Sequence, residues 1–302
     1  MTIQKPLGLE KVTQLFPEKQ QVPLEGLYLD QRLSEISAKI GRTLVIANFL
    51  SDMNGIIAKR DEQNNFQIPP GLKNASDWRL FQELMAQADV IISGAAYLKR
   101  VLVQGNRAEN IISQFEPGSG FEKLGEWRLS AGYKKRSPDL VIVTRSLDFK
   151  FPEEVIRSGR RVIIFTTYTM ANSDQARALT ASGAFVVGSG QTGVDGNMMI
   201  DYLSNELGYR VIMMATGPSV LELLLEVKRL DLLYVTEAQV EIPFDDPTTV
   251  QTILPEGRKV NALKEFSLTH QYIQENVATE DSSFISQEFL RYDRKGALVD
   301  YY

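Results

Sequence analysis

Short apolar runs recur through the middle of the chain. Each is closed by a polar or glycine-bearing turn and followed by a stretch in which apolar residues return every three to four positions. Runs of this length predict buried strands, and the longer periodic stretches predict amphipathic helices. The expected strands are 42–49, 89–93, 139–144, 161–166, 184–188, 209–214 and 232–240. The expected helices are 77–86, with Ser76 as its cap, then 96–103, 152–157, 174–182, 195–207 and 218–229. Such alternation predicts an α/β fold in three layers, α/β/α, with helices on both faces of the sheet. Beyond about 250 the rhythm changes. There 259–266, 268–274 and 284–292 read as strands with no helix between them, so a mixed sheet with antiparallel C-terminal strands is expected.

Two stretches stand apart from this rhythm. Residues 1–41 read as an N-terminal extension with one amphipathic helix, on which Leu29, Leu33, Ile36 and Ile40 share a face and after which Gly41 is the stop. Residues 42–302 then form the main domain. Residues 104–137 are polar and glycine-rich, an insertion of the kind that carries function or moves.

Composition narrows the chemistry. The chain has 302 residues, 43% apolar and 24% charged, the profile of an ordinary globular protein. No apolar run is long enough to span a membrane, and the first residues are too polar for a secretory signal, so a cytoplasmic protein is expected. A net charge of −5 disfavours nucleic acid as a partner. With no cysteine and one histidine, His270, there is no thiol nucleophile, no Cys-ligated zinc and no multi-histidine metal site. His270 itself reads as a half-exposed residue of a late strand. Any chemistry therefore rests on a cofactor, or on carboxylate, hydroxyl, lysine and arginine groups.

The turns after the strands hold the best candidates. The run Val211-Ile-Met-Met214 passes through Ala215-Thr216-Gly217-Pro218-Ser219 into the helical Val220-Leu-Glu-Leu. A strand leading through glycine into a helix presents backbone N–H groups where phosphates bind, and Pro218 suits the first helical position. An ordinary βα turn is the plainer alternative. Thr144-Arg145-Ser146 ends another strand with two hydroxyls and a guanidinium, a grip for a phosphate such as the 2′-phosphate of NADP, or else a surface arginine. Ser93-Gly94-Ala95 is a turn of small residues that lets the backbone approach a ligand or a neighbouring helix. Ser51-Asp52-Met-Asn54-Gly55 closes the first strand, with Asp52 and Asn54 as polar groups at its end; Lys73 and Ser76 from the next loop are expected to meet them. Gly188-Ser-Gly190-Gln-Thr-Gly193 fits a dinucleotide fingerprint, yet it follows a late strand, and no acid ends the next one, where Met213-Met214-Ala215 stands.

In their order, SDMNG, SDWRLFQELMAQADVIISGAAY, PDLVIVTRS, VD and VIMMATGPSVLELLL resemble the reductase domain of riboflavin biosynthesis, a member of the dihydrofolate reductase-like superfamily. The resemblance runs from about Arg42 to Tyr292. It implies a dihydrofolate reductase-like mixed sheet, a homodimer, NADPH as hydride donor and 5-amino-6-(5-phosphoribosylamino)uracil, a phosphorylated nucleotide-like compound, as substrate. It further implies that Gly94 and Tyr97 begin the helix over the cofactor, and that Thr144, Arg145 and Ser146 hold its 2′-phosphate. Val194 would touch the adenine, and Thr216, Gly217, Pro218, Ser219 and Val220 would wrap the pyrophosphate. Asp52 and Asn54 would then be the catalytic pair, with Asp52 or a bound water as acid, and Lys73 and Ser76 the substrate contacts.

The chain departs from the family in two places. Asn54 replaces the acid of the usual SLDG, and Ala215 replaces the glutamate of the usual EGGP. The zinc signature of the deaminase that accompanies this domain in bifunctional enzymes cannot exist without cysteine. Three readings follow: an NADPH-dependent reductase with the family substrate or a divergent one, a catalytically inactive NADP(H)-binding relative, and a Rossmann-type NAD enzyme built on 188–193.

Overall fold

The structure, a computed structural model, describes residues 10–95, 115–149 and 158–298. Along the chain these form β1 (Lys11–Phe16), β2 (Gln20–Pro23), α1 (Leu33–Ile40), β3 (Leu44–Asp52), β4 (Ile56–Arg60), β5 (Phe66–Gln67), α2 (Ala75–Gln87), β6 (Val90–Gly94), α3 (Glu122–Ser130), β7 (Asp139–Val143), β8 (Val162–Thr166) and α4 (Tyr168–Ala171). There follow α5 (Asp174–Ala181), β9 (Phe185–Gly188), α6 (Gly196–Asp201), β10 (Val211–Met214), α7 (Pro218–Glu226), β11 (Leu232–Ala238), β12 (Val250–Thr252), β13 (Phe266–Ala278) and β14 (Phe284–Arg294). The expected helices 96–103 and 152–157, and with them Tyr97, lie outside the described residues.

The chain divides into two compact units, one of Met1–Ile40, Ile46–Leu84 and Leu230–Tyr302, the other of Gly41–Val45 and Met85–Arg229. The second unit holds the alternating pattern. Its strands run in the order β10-β6-β7-β8-β9, all parallel. Val90, Ile91, Ile92, Leu140, Val141, Ile142 and Ile163 are fully buried, as continuous apolar runs in a parallel sheet require. Carboxylates pin the amino ends of these strands. Asp89 accepts the N–H groups of Arg210 and Val211 at 2.8 and 2.9 Å, and Asp139 accepts that of Arg161 at 2.6 Å.

The polar insertion is not structureless where it is described. It contains α3, whose Arg128 is buried and donates to the carbonyls of Ala86 and Ala88 at 2.7 and 2.6 Å. The Ala86 carbonyl lies in the last turn of α2 and that of Ala88 just beyond it, so the guanidinium acts as a C-terminal cap. Burial depresses its pKa to about 10.

The first unit holds the antiparallel part. Its strand order is β2-β1-β13-β14-β11-β3, with β11 parallel to β3 and the other pairs antiparallel. A small separate sheet, β12-β4-β5, carries the chain away from the turn after β3. Leu50, Leu72, Ala238, Val277 and Ile285 form a core cluster.

Three expectations need correction here. The N-terminal extension does carry a helix, shorter than predicted, but it also supplies β1 and β2, and β1 pairs with β13. The expected strand 259–266 is instead a 3-10 turn at Val260–Ala262, and β13 begins only at Phe266. Ser76 does not cap α2: Asn74 does, its Oδ1 accepting the N–H of Asp77 at 2.9 Å, while the Ser76 hydroxyl donates to Glu10 at 3.1 Å.

Candidate active site

Parallel strands place their carboxyl ends side by side, and in such sheets ligands gather there. In the second unit this end carries Gly94 after β6, Thr144-Arg145-Ser146 after β7 and Ala215-Thr216-Gly217 after β10. The turns of β6 and β10 lie close together. Ala215 N–H donates to the Ile92 carbonyl at 2.9 Å, and a Cβ on Gly94 would stand 3.0 Å from Thr216 Oγ1. Only glycine leaves this space open.

After β7 the Thr144 hydroxyl donates to the Ser146 carbonyl and accepts its N–H at 3.2 Å, a closed hydroxyl turn. The turn leaves Arg145 exposed, with no hydrogen-bond or ion-pair partner among the described residues.

The two glycine-bearing helix starts differ in one respect that matters for an anion. At α7 the cap is Gly217, with no side chain bonded to the helix N–H groups, and Pro218 and exposed Ser219 follow. The positive end of α7 is therefore open to a phosphate. At α6 the Asp195 carboxylate already caps, accepting the Met198 N–H at 3.0 Å. The 188–193 turn is also closed on itself: Gly190 has φ 102°, and a Cβ there would lie 2.2 Å from the Gly193 carbonyl. Moreover β9 ends the strand order rather than opening a βαβ unit at its centre. These features count against the Rossmann reading. Val194, the proposed adenine contact, is half-buried in the same turn.

In the first unit the turn after β3 is held by Asp52, which is fully buried. Its Oδ1 accepts the N–H groups of Asn54 and Ile56 at 2.9 and 2.7 Å, and its Oδ2 that of Ile242 at 2.9 Å. Both oxygens are engaged, so Asp52 anchors the turn and presents Asn54, which is exposed at its tip. Lys73 is half-exposed and pairs with Glu280 at 3.2 Å. Ser76 is buried against Glu10, facing away from solvent. Asp52 and Ser76 are thus committed to holding structure, while Asn54 and Lys73 stay accessible.

The sequence reading missed Asp77. It lies in the first turn of α2, three positions before Leu80 and seven before Leu84, so it falls on the buried stripe of that helix. Burial pushes its carboxyl up to about 6, and a hydrogen bond from Thr236 on β11 opposes the shift. A carboxylic acid on an apolar stripe was the available signal. His270, by contrast, sits as expected in β13, part-buried beside Thr269 at 3.2 Å, its pKa pushed down to about 4, first by burial and then by the charge of Arg291. Among the described residues no cluster of side chains is suited to a metal ion.

No family model and no curated protein sequence matches the chain. Solved structures do. A pyrimidine reductase-like protein from Corynebacterium diphtheriae is 18% identical, with 87% of this chain and 98% of that one covered at a TM-score of 0.59. The riboflavin biosynthesis reductase Rib7 of Saccharomyces cerevisiae is 14% identical over 87% of this chain and 99% of its own, at 0.51. RibD of Acinetobacter baumannii is 12% identical over 84% of this chain, at 0.53, and the chain spans 58% of that longer protein. The fold is that of the riboflavin-biosynthesis reductases. An α/β fold with a mixed sheet and antiparallel C-terminal strands is what the sequence encodes. Among the described residues no helix is long and apolar enough to cross a membrane.

Proposed function

We propose that the chain is an NADPH-dependent reductase acting on a small phosphorylated, nucleotide-like compound. The observation that carries this reading is the set of open anion-binding features at the carboxyl ends of the second unit: the uncapped start of α7, the space kept by Gly94 beside Thr216, and the unpartnered guanidinium of Arg145. They fit a dinucleotide with an extra phosphate. Gly94 and the 216–220 turn (Thr216, Gly217, Pro218, Ser219, Val220) would hold the pyrophosphate, Thr144, Arg145 and Ser146 the 2′-phosphate, and Val194 the adenine. When bound, NADPH supplies a hydride to an electrophilic carbon.

The chain's own residues position the substrate and manage the proton. Asn54 offers an amide at the tip of the turn that Asp52 fixes, and Lys73 offers a cation for a substrate phosphate in exchange for Glu280. Asp77 is the candidate proton donor in place of Asp52: a carboxyl held near 6 by burial keeps its proton closer to neutrality than an ordinary one. A homodimeric, cytoplasmic enzyme belongs to the same reading.

Purified protein with NADPH and 5-amino-6-(5-phosphoribosylamino)uracil, followed by loss of the reduced nicotinamide absorbance, tests it. Turnover supports the biosynthetic substrate. NADPH binding without turnover favours the second reading, a nucleotide-binding protein without catalysis, for which the specific grounds are Asn54 and Ala215 in place of the family's two acids.

A further inference from the structure

Buried side-chain amides of the first unit are joined in a chain of hydrogen bonds. Asn74 Nδ2 donates to Gln287 Oε1 at 2.8 Å, Gln287 Nε2 to Gln274 Oε1 at 3.0 Å, and Gln274 Nε2 to Glu10 at 3.1 Å. Gln82 is the exception. It lies on α2 and is 0% exposed, yet neither its Nε2 nor its Oε1 has a hydrogen-bond partner. Burying an amide with both ends open costs free energy that a leucine or methionine at the same position would not. An amide kept there against that cost calls for a partner that arrives from outside the chain.

The neighbours on α2 indicate what kind of partner. Trp78 is four residues before Gln82, so the two side chains share a face of the helix. The Trp78 ring stacks on Phe81, with centroids 5.5 Å apart and planes inclined by 29°, and both residues are only half-buried. An aromatic surface thus adjoins an amide that offers a donor and an acceptor side by side. A planar ring with an N–H next to a C=O complements both: its face lies against the aromatic pair and its edge meets the amide. Asp77, the candidate proton donor, directly precedes Trp78 on the same helix.

We propose that Gln82 reads the head of the substrate, its Oε1 accepting a ring N–H and its Nε2 donating to the adjacent ring C=O of a pyrimidinedione, with Trp78 and Phe81 as the apolar surface beside it. The inference rests on the reductase reading and adds to it the residue that selects the ring rather than the sugar phosphate. A ligand without the ring leaves the amide unpaired and gains nothing from it.

The test is calorimetric titration of the full-length protein saturated with NADP⁺, which has no hydride to give. The ligands are 5-amino-6-(5-phosphoribosylamino)uracil and ribose 5-phosphate, each with wild type and Gln82→Met, beside a thermal melt of both proteins. Gln82→Met is expected to weaken binding of the uracil compound about tenfold to a hundredfold and to leave ribose 5-phosphate and NADP⁺ affinities unchanged. It is also expected to raise the melting temperature of the free protein, since an apolar side chain of similar length replaces an unpaired amide. A purely structural glutamine would move the melt without this split between the two ligands. NADP⁺ binding with no affinity for the uracil compound, affinity for it indifferent to Gln82→Met, equal losses for both ligands, or a lowered melting temperature would overturn the proposal. Failure of the wild type to bind NADP⁺ would overturn the reductase reading, and this inference with it.

Discussion

The Thr216 hydroxyl stands 3.0 Å from the place a Cβ would take on Gly94. The two residues end neighbouring parallel strands, β6 and β10, and the gap between them is where a backbone-hugging phosphate would lie. Gly94→Ala fills the gap and must turn the Thr216 side chain. NADPH affinity is expected to fall about tenfold while the melting temperature changes little, because the turn is at the surface end of the strands. Calorimetric titration beside a thermal melt checks both halves.

Arg145 is held out from its strand by the Thr144–Ser146 hydroxyl turn. Arg145→Ala is expected to weaken NADPH binding about tenfold to a hundredfold and to leave NADH binding unchanged, since only the former carries the phosphate that a guanidinium grips. Equal losses for both nucleotides would place Arg145 elsewhere than at the 2′-phosphate.

Asp77 makes a prediction with a definite sign. Its folded pKa, about 6, lies above the value of 3.8 for a free side chain. Between these values the folded state keeps a proton that the unfolded chain has lost, so this group's contribution falls as pH rises through the window. Asp77→Asn removes the loss and is expected to stabilise the protein at neutral pH by about 1–3 kcal/mol. It is also expected to cut turnover about a hundredfold, as removal of a proton donor does. Urea unfolding and steady-state rates on the same variant separate the two effects.

His270 works in the opposite direction. Its folded pKa of about 4 lies below 6.5, so the unfolded chain takes up the proton first as pH falls. Stability from this residue is present above about 6.5 and is lost as pH drops toward about 4. The site is partly exposed, so the loss is expected to be about 1 kcal/mol rather than the full value of the shift. Unfolding midpoints measured across this window in wild type and His270→Gln should converge at the acid end.

Asp52 is the structural member of its turn. Asp52→Ala strands the N–H groups of Asn54, Ile56 and Ile242 and is expected to destabilise by about 2–4 kcal/mol, a loss read as a lower denaturant midpoint. Asn54→Ala, at the exposed tip, is expected to leave that midpoint within about 0.5 kcal/mol.

Much of the fold was legible because burial on both faces writes strands as unbroken apolar runs. The four buried strands of the second unit, β6, β7, β8 and β10, fall within about two residues of their predicted limits for that reason. The missed elements lack such a signature. β2 is a short, exposed edge strand ending at Pro23, β1 beside it is six residues long and stops before Pro17, and β4, β5 and β12 are too short to show a period. In α3 the buried contact is Arg128, a residue that pattern reading assigns to the surface. In the site, the hydroxyl and glycine turns were visible because backbone demands select those residues. The roles of Asp77 and Ser76 were not, because their environments come from Thr236 and Glu10, far away in the chain.

The central claim is that the carboxyl-end turns of the second unit hold NADPH. Calorimetric titration of the intact protein with NADPH and NADH, repeated on Arg145→Ala, tests it most directly. The account predicts saturable binding of NADPH that the substitution weakens at least tenfold, with much weaker binding of NADH. No heat of binding with either nucleotide, or NADPH affinity indifferent to Arg145, would contradict it.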